Sequence, residues 1–186
     1  MEFLKDIRLK IGMAKLRNKL SASKRKVTYT NIEGVRSIGI VWDASSTNDF
    51  TVLSRFHQKM YERKIDVKIL GYYNGKSLPD QYTAIRYLTC FKNDDLNFFY
   101  IPSSAETISF LKTSYNVLID INFKKIFPLQ YITSLSVAGF KVGLLEDSSI
   151  DSPFDLMMEL KKPVKIEEYL NHIVDYLEMI NSKTKK

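Results

Sequence analysis

From Arg36 onward the chain alternates apolar runs of five to seven residues with stretches whose apolar side chains recur every three or four positions. A run that short and apolar suits a strand buried on both faces, and the longer recurrence marks one face of a helix. Ser37 to Trp42, Val67 to Tyr73, Asn97 to Ile101, Asn116 to Asp120 and Phe140 to Leu145 are the strand-type runs. Val52, Leu53, Phe56 and Met60 mark one helix, and residues 127–136 another. Ser103 with Glu106 three residues on reads as a capping box, opening a helix that buries Ile108 and Leu111. The last helix is the most regular. Ile166, Leu170, Ile173, Leu177 and Ile180 step by four and three, with Glu167 and Glu168 in the first turn, where the helix dipole favours anions. Leu156 to Leu160 fits an edge strand or a short helix, and Tyr82 to Thr89 a strand or an irregular crossover. The alternation predicts an α/β fold: a mostly parallel open sheet of about five strands with helices on both faces, a Rossmann-like half.

Ahead of that body, residues 2–20 are rich in helix formers and free of proline. At about 100° per residue their apolar side chains form two stripes. Phe3, Leu4, Ile7, Ile11 and Ala14 lie on one side, with Leu9, Met13, Leu16 and Leu20 nearly opposite. A helix lying in a membrane plane shows one wide apolar face against one charged face. Two stripes with basic residues between them predict a helix held between two protein surfaces. Ser21 to Lys26 reads as an exposed linker, which divides the chain into a basic helix and linker (1–33) and one α/β domain (34–186).

The net charge of +7 sits in the same place. Residues 1–36 hold ten basic and three acidic side chains, whereas the other 150 residues hold eighteen of each. Lys10, Lys15, Arg17, Lys19, Lys24, Arg25 and Lys26 are therefore candidates for neutralising the phosphates of RNA or an anionic lipid surface. A solvated helix with a basic tail is the plain alternative. A protein partner, or a homodimer joined through Leu9 and Leu16, would use the same helix.

Composition narrows the function classes. The 186 residues are 45% apolar and 26% charged, the balance of a single folded domain. The longest uncharged stretch, Ile126 to Phe140, is 15 residues interrupted by Pro128 and Gln130, too short for a membrane span. Charges within Met1 to Asp6 argue against a signal peptide, and a lone Cys90 suits a reducing cytoplasm. With only His57 and His172 beside that cysteine, a zinc site lacks ligands. No glycine-rich phosphate loop and no Gly-x-Ser-x-Gly elbow occurs, so neither cofactor nor metal is expected.

In an open parallel sheet, ligands bind beyond the carboxyl ends of the strands. Three predicted strands end in polar segments: Asp43 to Asp49, Asp120 to Asn122, and Glu146 to Ser149. Asp43, Ser45, Ser46, Asn48, Asp120 and Asn122 are the ligand-binding candidates, since converging carboxylates can act as a general base or hold magnesium. Asp, Asn and Ser after strands also cap helices and make turns. Phe98 to Tyr100 can stack on bases, although a place in a strand makes them sheet core.

As a whole the chain resembles a family of small bacterial proteins described only as a domain of unknown function. The segments that carry the likeness are Asp95 to Phe99, Val117 to Asn122 and Phe154 to Glu159. The likeness spans nearly the full length and implies no activity. A second likeness is local: Tyr115 to Asp120 followed by Leu135 to Gly143 is similar to a strand–helix–strand unit in the acceptor-binding domain of heptosyltransferase-type glycosyltransferases. Ile40-Val41 with Ser45 to Asp49 resembles their first strand and loop. That resemblance implies that Asp49 is a base deprotonating an acceptor hydroxyl. Asn48 stands where that family has glycine, and a donor-binding half would have to come from a partner chain. The leading expectation is thus a non-catalytic cytoplasmic binding module docking on an anionic or protein partner through its N-terminal helix. The alternative is a glycosyltransferase-like or other nucleotide- or sugar-binding enzyme half acting at the strand carboxyl ends.

Overall fold

The computed structural model describes residues 2–23, 25–46, 49–145, 152–160 and 163–180. The strands are β1 (Ser37–Asp43), β2 (Asp66–Tyr73), β3 (Leu88–Lys92), β4 (Val117–Asp120), β5 (Phe140–Leu144) and β6 (Leu156–Met158). The helices are α1 (Glu2–Ala22), α2 (Phe50–Glu62), α3 (Ala105–Lys112), α4 (Phe127–Leu135) and α5 (Ile166–Met179). All strands pair in parallel, in the order β3-β2-β1-β4-β5-β6, so the sheet has six strands where about five were expected.

β1 is central because every residue from Ile38 to Trp42 is buried, the pattern of a strand covered on both faces. Alternation along the strand decides which helix each side chain meets. Ile38, Ile40 and Trp42 pack with Leu53, Phe56 and Met60 of α2 and with Tyr169, Leu170 and Ile173 of α5. Val41, joined by Leu70 and Leu118 of the neighbouring strands, packs with Phe110 of α3 and with Leu129 and Ile132 of α4. Helices therefore cover both faces, and the strand order reverses between β1 and β4.

Two local expectations shift. The third strand is Leu88–Lys92 and not Asn97 to Ile101. Asn97 competes for the backbone of its own segment: its Oδ1 accepts the N–H groups of Phe99 (2.9 Å) and Ile101 (3.2 Å). That closes a turn with Tyr100 at φ 60°, left-handed backbone that a strand cannot hold. The start of α3 moves by one residue. Ser104 is the N-cap, accepting the Thr107 N–H at 3.3 Å; Thr107 and Phe110 are buried, the expected Leu111 is half-buried against the core, and the expected Ile108 faces out. One position rotates a helix by about 100°, which leaves Ile108 exposed.

The stretch read as an exposed linker is exposed at Ser21 to Ser23 and at Lys26, and Arg25 ties it to the body as a strap. Ser21 and Ala22 still belong to α1, and Arg25 is largely buried. Its Nη1 donates to the carbonyls of Ala138 (3.0 Å) and Gly139 (3.1 Å), and its Nη2 to Asp155 Oδ1 (2.5 Å). Asp155 Oδ2 in turn accepts the Lys141 N–H at 2.7 Å, tying the approach to β6 onto β5. Thr28 N–H donates to the Gly139 carbonyl, and Asn31 Nδ2 to the carbonyls of Glu178 and Ile180. The last contacts satisfy carbonyls that the end of α5 leaves open.

Candidate functional site

α1 is laid on the body by one of its two stripes. Leu16 is buried and, with Leu9 and Met13, packs against Phe127 and Tyr131 of α4 and against Phe99 to Ile101. Gly12 sets the approach, since a Cβ there would lie 2.4 Å from the Phe99 carbonyl oxygen and 2.9 Å from the Phe127 ring. The Leu9–Leu16 stripe, expected as a homodimer contact, is thus covered by the chain's own α4 and aromatic turn. The opposite stripe is bare: Phe3 is 76% exposed, Leu4 65%, Ile7 37% and Ile11 39%.

The cations of this segment fall into three groups. Arg25 is internal and is the one N-terminal cation paired with a carboxylate among the described residues. Arg8, Lys15 and Lys19 lean on the aromatic turn and α4. The Arg8 guanidinium lies 4.3 Å from the Phe98 ring centre and 4.5 Å from that of Tyr100, and its Nε donates to the Phe98 carbonyl at 2.6 Å. Lys15 Nζ lies 5.0 Å from the Phe99 ring centre, and Lys19 Nζ donates to the Tyr131 hydroxyl at 2.9 Å. Rings, carbonyls and hydroxyls position these charges and do not cancel them. Lys10, Arg17 and Lys26 are exposed, with no hydrogen bond or ion pair among the described residues. Lys24 lies outside the described residues. Phe98 to Tyr100, read as sheet core, are instead the seat that receives the cations of α1.

A groove of about 340 Å³ opens where α1 meets the turn and α4, lined by Lys15, Asn18, Lys19, Asn97, Ile101 and Tyr131. Two ammonium groups, two amides and a hydroxyl meet there without a carboxylate, a donor set that can hold an oxyanion.

The strand carboxyl ends present a different chemistry. Val41 pairs with Asp120 across β1 and β4, so Asp43 follows two steps on along the same sheet face. Asp43 Oδ1 accepts the Ser45 N–H at 3.1 Å, and Ser45 Oγ accepts the Asn74 N–H at 3.1 Å, leaving Ser45 and Ser46 exposed at the rim. Asp120 is buried. Its Oδ1 accepts the Asn122 N–H (2.9 Å) and Nδ2 (2.6 Å), and its Oδ2 the Thr133 hydroxyl of α4 (2.5 Å). The Asp120 carbonyl accepts the Tyr169 hydroxyl of α5 at 3.1 Å, so this residue clamps the loop after β4 to both helical layers. Asn122 Nδ2 also reaches the Val41 carbonyl at 3.2 Å, whereas its Oδ1 is buried without a hydrogen-bond partner among the described residues. Asp49 stands at the N-cap of α2 in helical conformation, with no capping bond from its side chain. The β1–β4 pairing therefore gathers Asp43, Ser45, Asp120 and Asn122, while Asp49 leads the helix of the other layer. Asn48 and the segment Glu146 to Ser149 lie outside the described residues.

The remaining titratable groups have plain surroundings. Burial pushes the Cys90 thiol up to about 12, an unreactive value. His57 stacks on Tyr87 with ring centres 3.7 Å apart, and burial lowers its pKa. Among the described residues no three His, Cys, Asp or Glu side chains cluster as a metal site, and no helix is long and apolar enough to cross a membrane. Sequence reading missed Lys141. It is buried on β5 with Nζ donating to the Ser134 carbonyl at 2.8 Å, and burial, then Arg25, lower its pKa to about 7 against the pull of Asp155. A lone lysine inside the apolar run Phe140 to Leu145 is the signal that points to it, because lysine is almost never fully buried without a partner.

The fold is an all-parallel α/β sheet with helices on both faces and an N-terminal helix laid over one helical layer. The chain belongs to the family of unknown function DUF6913, whose model matches residues 8–180. That stretch takes in α1 from Arg8 onward, the strap and all six strands. No curated protein and no solved structure matches the chain, and the likeness to glycosyltransferases is not among the matches.

Proposed function

We propose that this protein is a cytoplasmic binding module that docks on an anionic partner through α1. The supporting observation is the set of unneutralised cations Lys10, Lys15, Arg17 and Lys19 on a helix held firmly to a charge-balanced body. A fixed cluster of like charge draws counter-ions and speeds encounter with an oppositely charged partner. Full-length protein titrated with heparin should bind, weakening steeply from about 50 to about 200 mM salt. Lys10→Gln/Arg17→Gln, which breaks no internal contact, should lower the affinity about tenfold and flatten the salt dependence. Absent binding, or binding indifferent to both salt and substitution, overturns the reading.

A second reading rests on Asn122, whose buried Oδ1 is an acceptor with no donor among the described residues, at the point where the strand order reverses. A ligand N–H or O–H entering at the β1–β4 ends, on the sheet face that carries Asp43, would satisfy it. Nucleotide-sugars titrated into labelled protein should then shift the backbone resonances of Ser45, Ser46 and Asn122. Resonances that stay in place across the panel exclude this reading for those ligands.

A further inference from the structure

We infer that the outward face of α1 docks on an anionic lipid bilayer, with Phe3, Leu4, Ile7 and Ile11 entering the interface and the flanking cations meeting the headgroups. The inference rests on the reading of α1 as an anionic docking face and names its partner. With Leu9, Met13 and Leu16 seated on the body, the two-striped helix presents one apolar stripe to solvent. At about 100° per residue, Phe3, Leu4, Ile7, Ile11 and Ala14 span about 100° of arc. Lys10 and Arg17 edge that arc on one side, and Lys15 and Lys19 on the other. Asp6 lies beyond Arg17, further from the stripe. This is the pattern of a helix lying in a membrane plane: an apolar stripe between rows of cations, on a segment with six basic and two acidic groups.

Charge complementarity selects the partner. RNA or heparin would engage the cations and leave the stripe in water, and a second copy would set like charges against each other along both flanks. An anionic bilayer takes the apolar and the cationic groups together. Two neighbouring features fit it. Phe98, 66% exposed, sits beside Arg8 at the same end of the helix as Phe3 and Leu4. The groove between Lys15, Lys19 and Asn97 opens at the edge of the stripe, where a lipid phosphate would meet its donors.

The test uses full-length protein and sedimentation with phosphatidylcholine vesicles, with and without phosphatidylserine. Binding is expected only with phosphatidylserine. Leu4→Ser/Ile7→Ser, both at exposed positions, should weaken it about a hundredfold while leaving heparin binding unchanged. Vesicle binding that survives this substitution, or that is equal on phosphatidylcholine alone, overturns the bilayer assignment. Heparin or RNA binding without vesicle binding also overturns it while leaving the anionic docking face in place, whereas loss of both probes overturns both readings. A dimer in light scattering that Leu4→Ser/Ile7→Ser converts to monomer shows the stripe covered by a second copy, and the inference fails.

Discussion

Asp120→Ala should lower unfolding stability by about 3 kcal/mol, since the Thr133 hydroxyl and the Asn122 N–H lose a charged acceptor inside the protein. The loss falls on both helical layers at once, because the loop fixed by this carboxylate also carries the carbonyl that receives Tyr169 from α5. Asp120→Asn keeps the shape and one acceptor oxygen toward Asn122, and the Thr133 hydroxyl can turn to accept from the new amide N–H, so its cost should be about 1 kcal/mol. Urea unfolding of the three proteins measures the difference. Equal stability in all three would mean that the carboxylate is not the clamp its contacts describe.

The second large effect is a pH dependence centred on Lys141. Its pKa falls from 10.5 to about 7 through burial first and the Arg25 guanidinium second, with Asp155 opposing. Between those values the unfolded chain holds a proton that the folded chain has released, so stability rises with pH across that window. From about pH 7 to about pH 9 the gain should be about 2 kcal/mol. Above that range burial of the Tyr115 and Tyr169 hydroxyls, which pushes Tyr115 up to about 12, reverses the trend. Lys141→Met should flatten the rise and exceed the parent most below pH 7. Urea midpoints measured across the window decide the matter: a rise that persists in Lys141→Met assigns the dependence to other groups.

The legible parts of the fold were those where apolar pattern alone sets structure. β1, β2, β4 and α5 lie close to their expected bounds because they are buried by continuous or strictly periodic apolar residues. β3 was harder to read since an edge strand keeps Thr89, Cys90 and Lys92 only half-buried, and its neighbour Asn97 to Ile101 is apolar for another reason. Those aromatics serve α1, a partner about 90 residues away in sequence, and no local pattern records that distance. The two stripes of α1 were visible, but which one the body would cover was not. That choice is made by Gly12, the one small residue that lets the backbone of the turn come close. At the strand ends the residue types were read correctly as polar, whereas the burial of Asp120 depends on Thr133 and Tyr169 from two separate helices.

The seat of α1 also sets an order of events during synthesis. The helix is made before the body it rests on, and its contacts lie far downstream: the Phe98 carbonyl 90 residues on, Tyr131 112 residues on, and for the strap Asp155 130 residues on. Until the last third of the chain has emerged, both oily sides of the helix are bare. Contacts of such long range form slowly and leave sticky surface uncovered meanwhile.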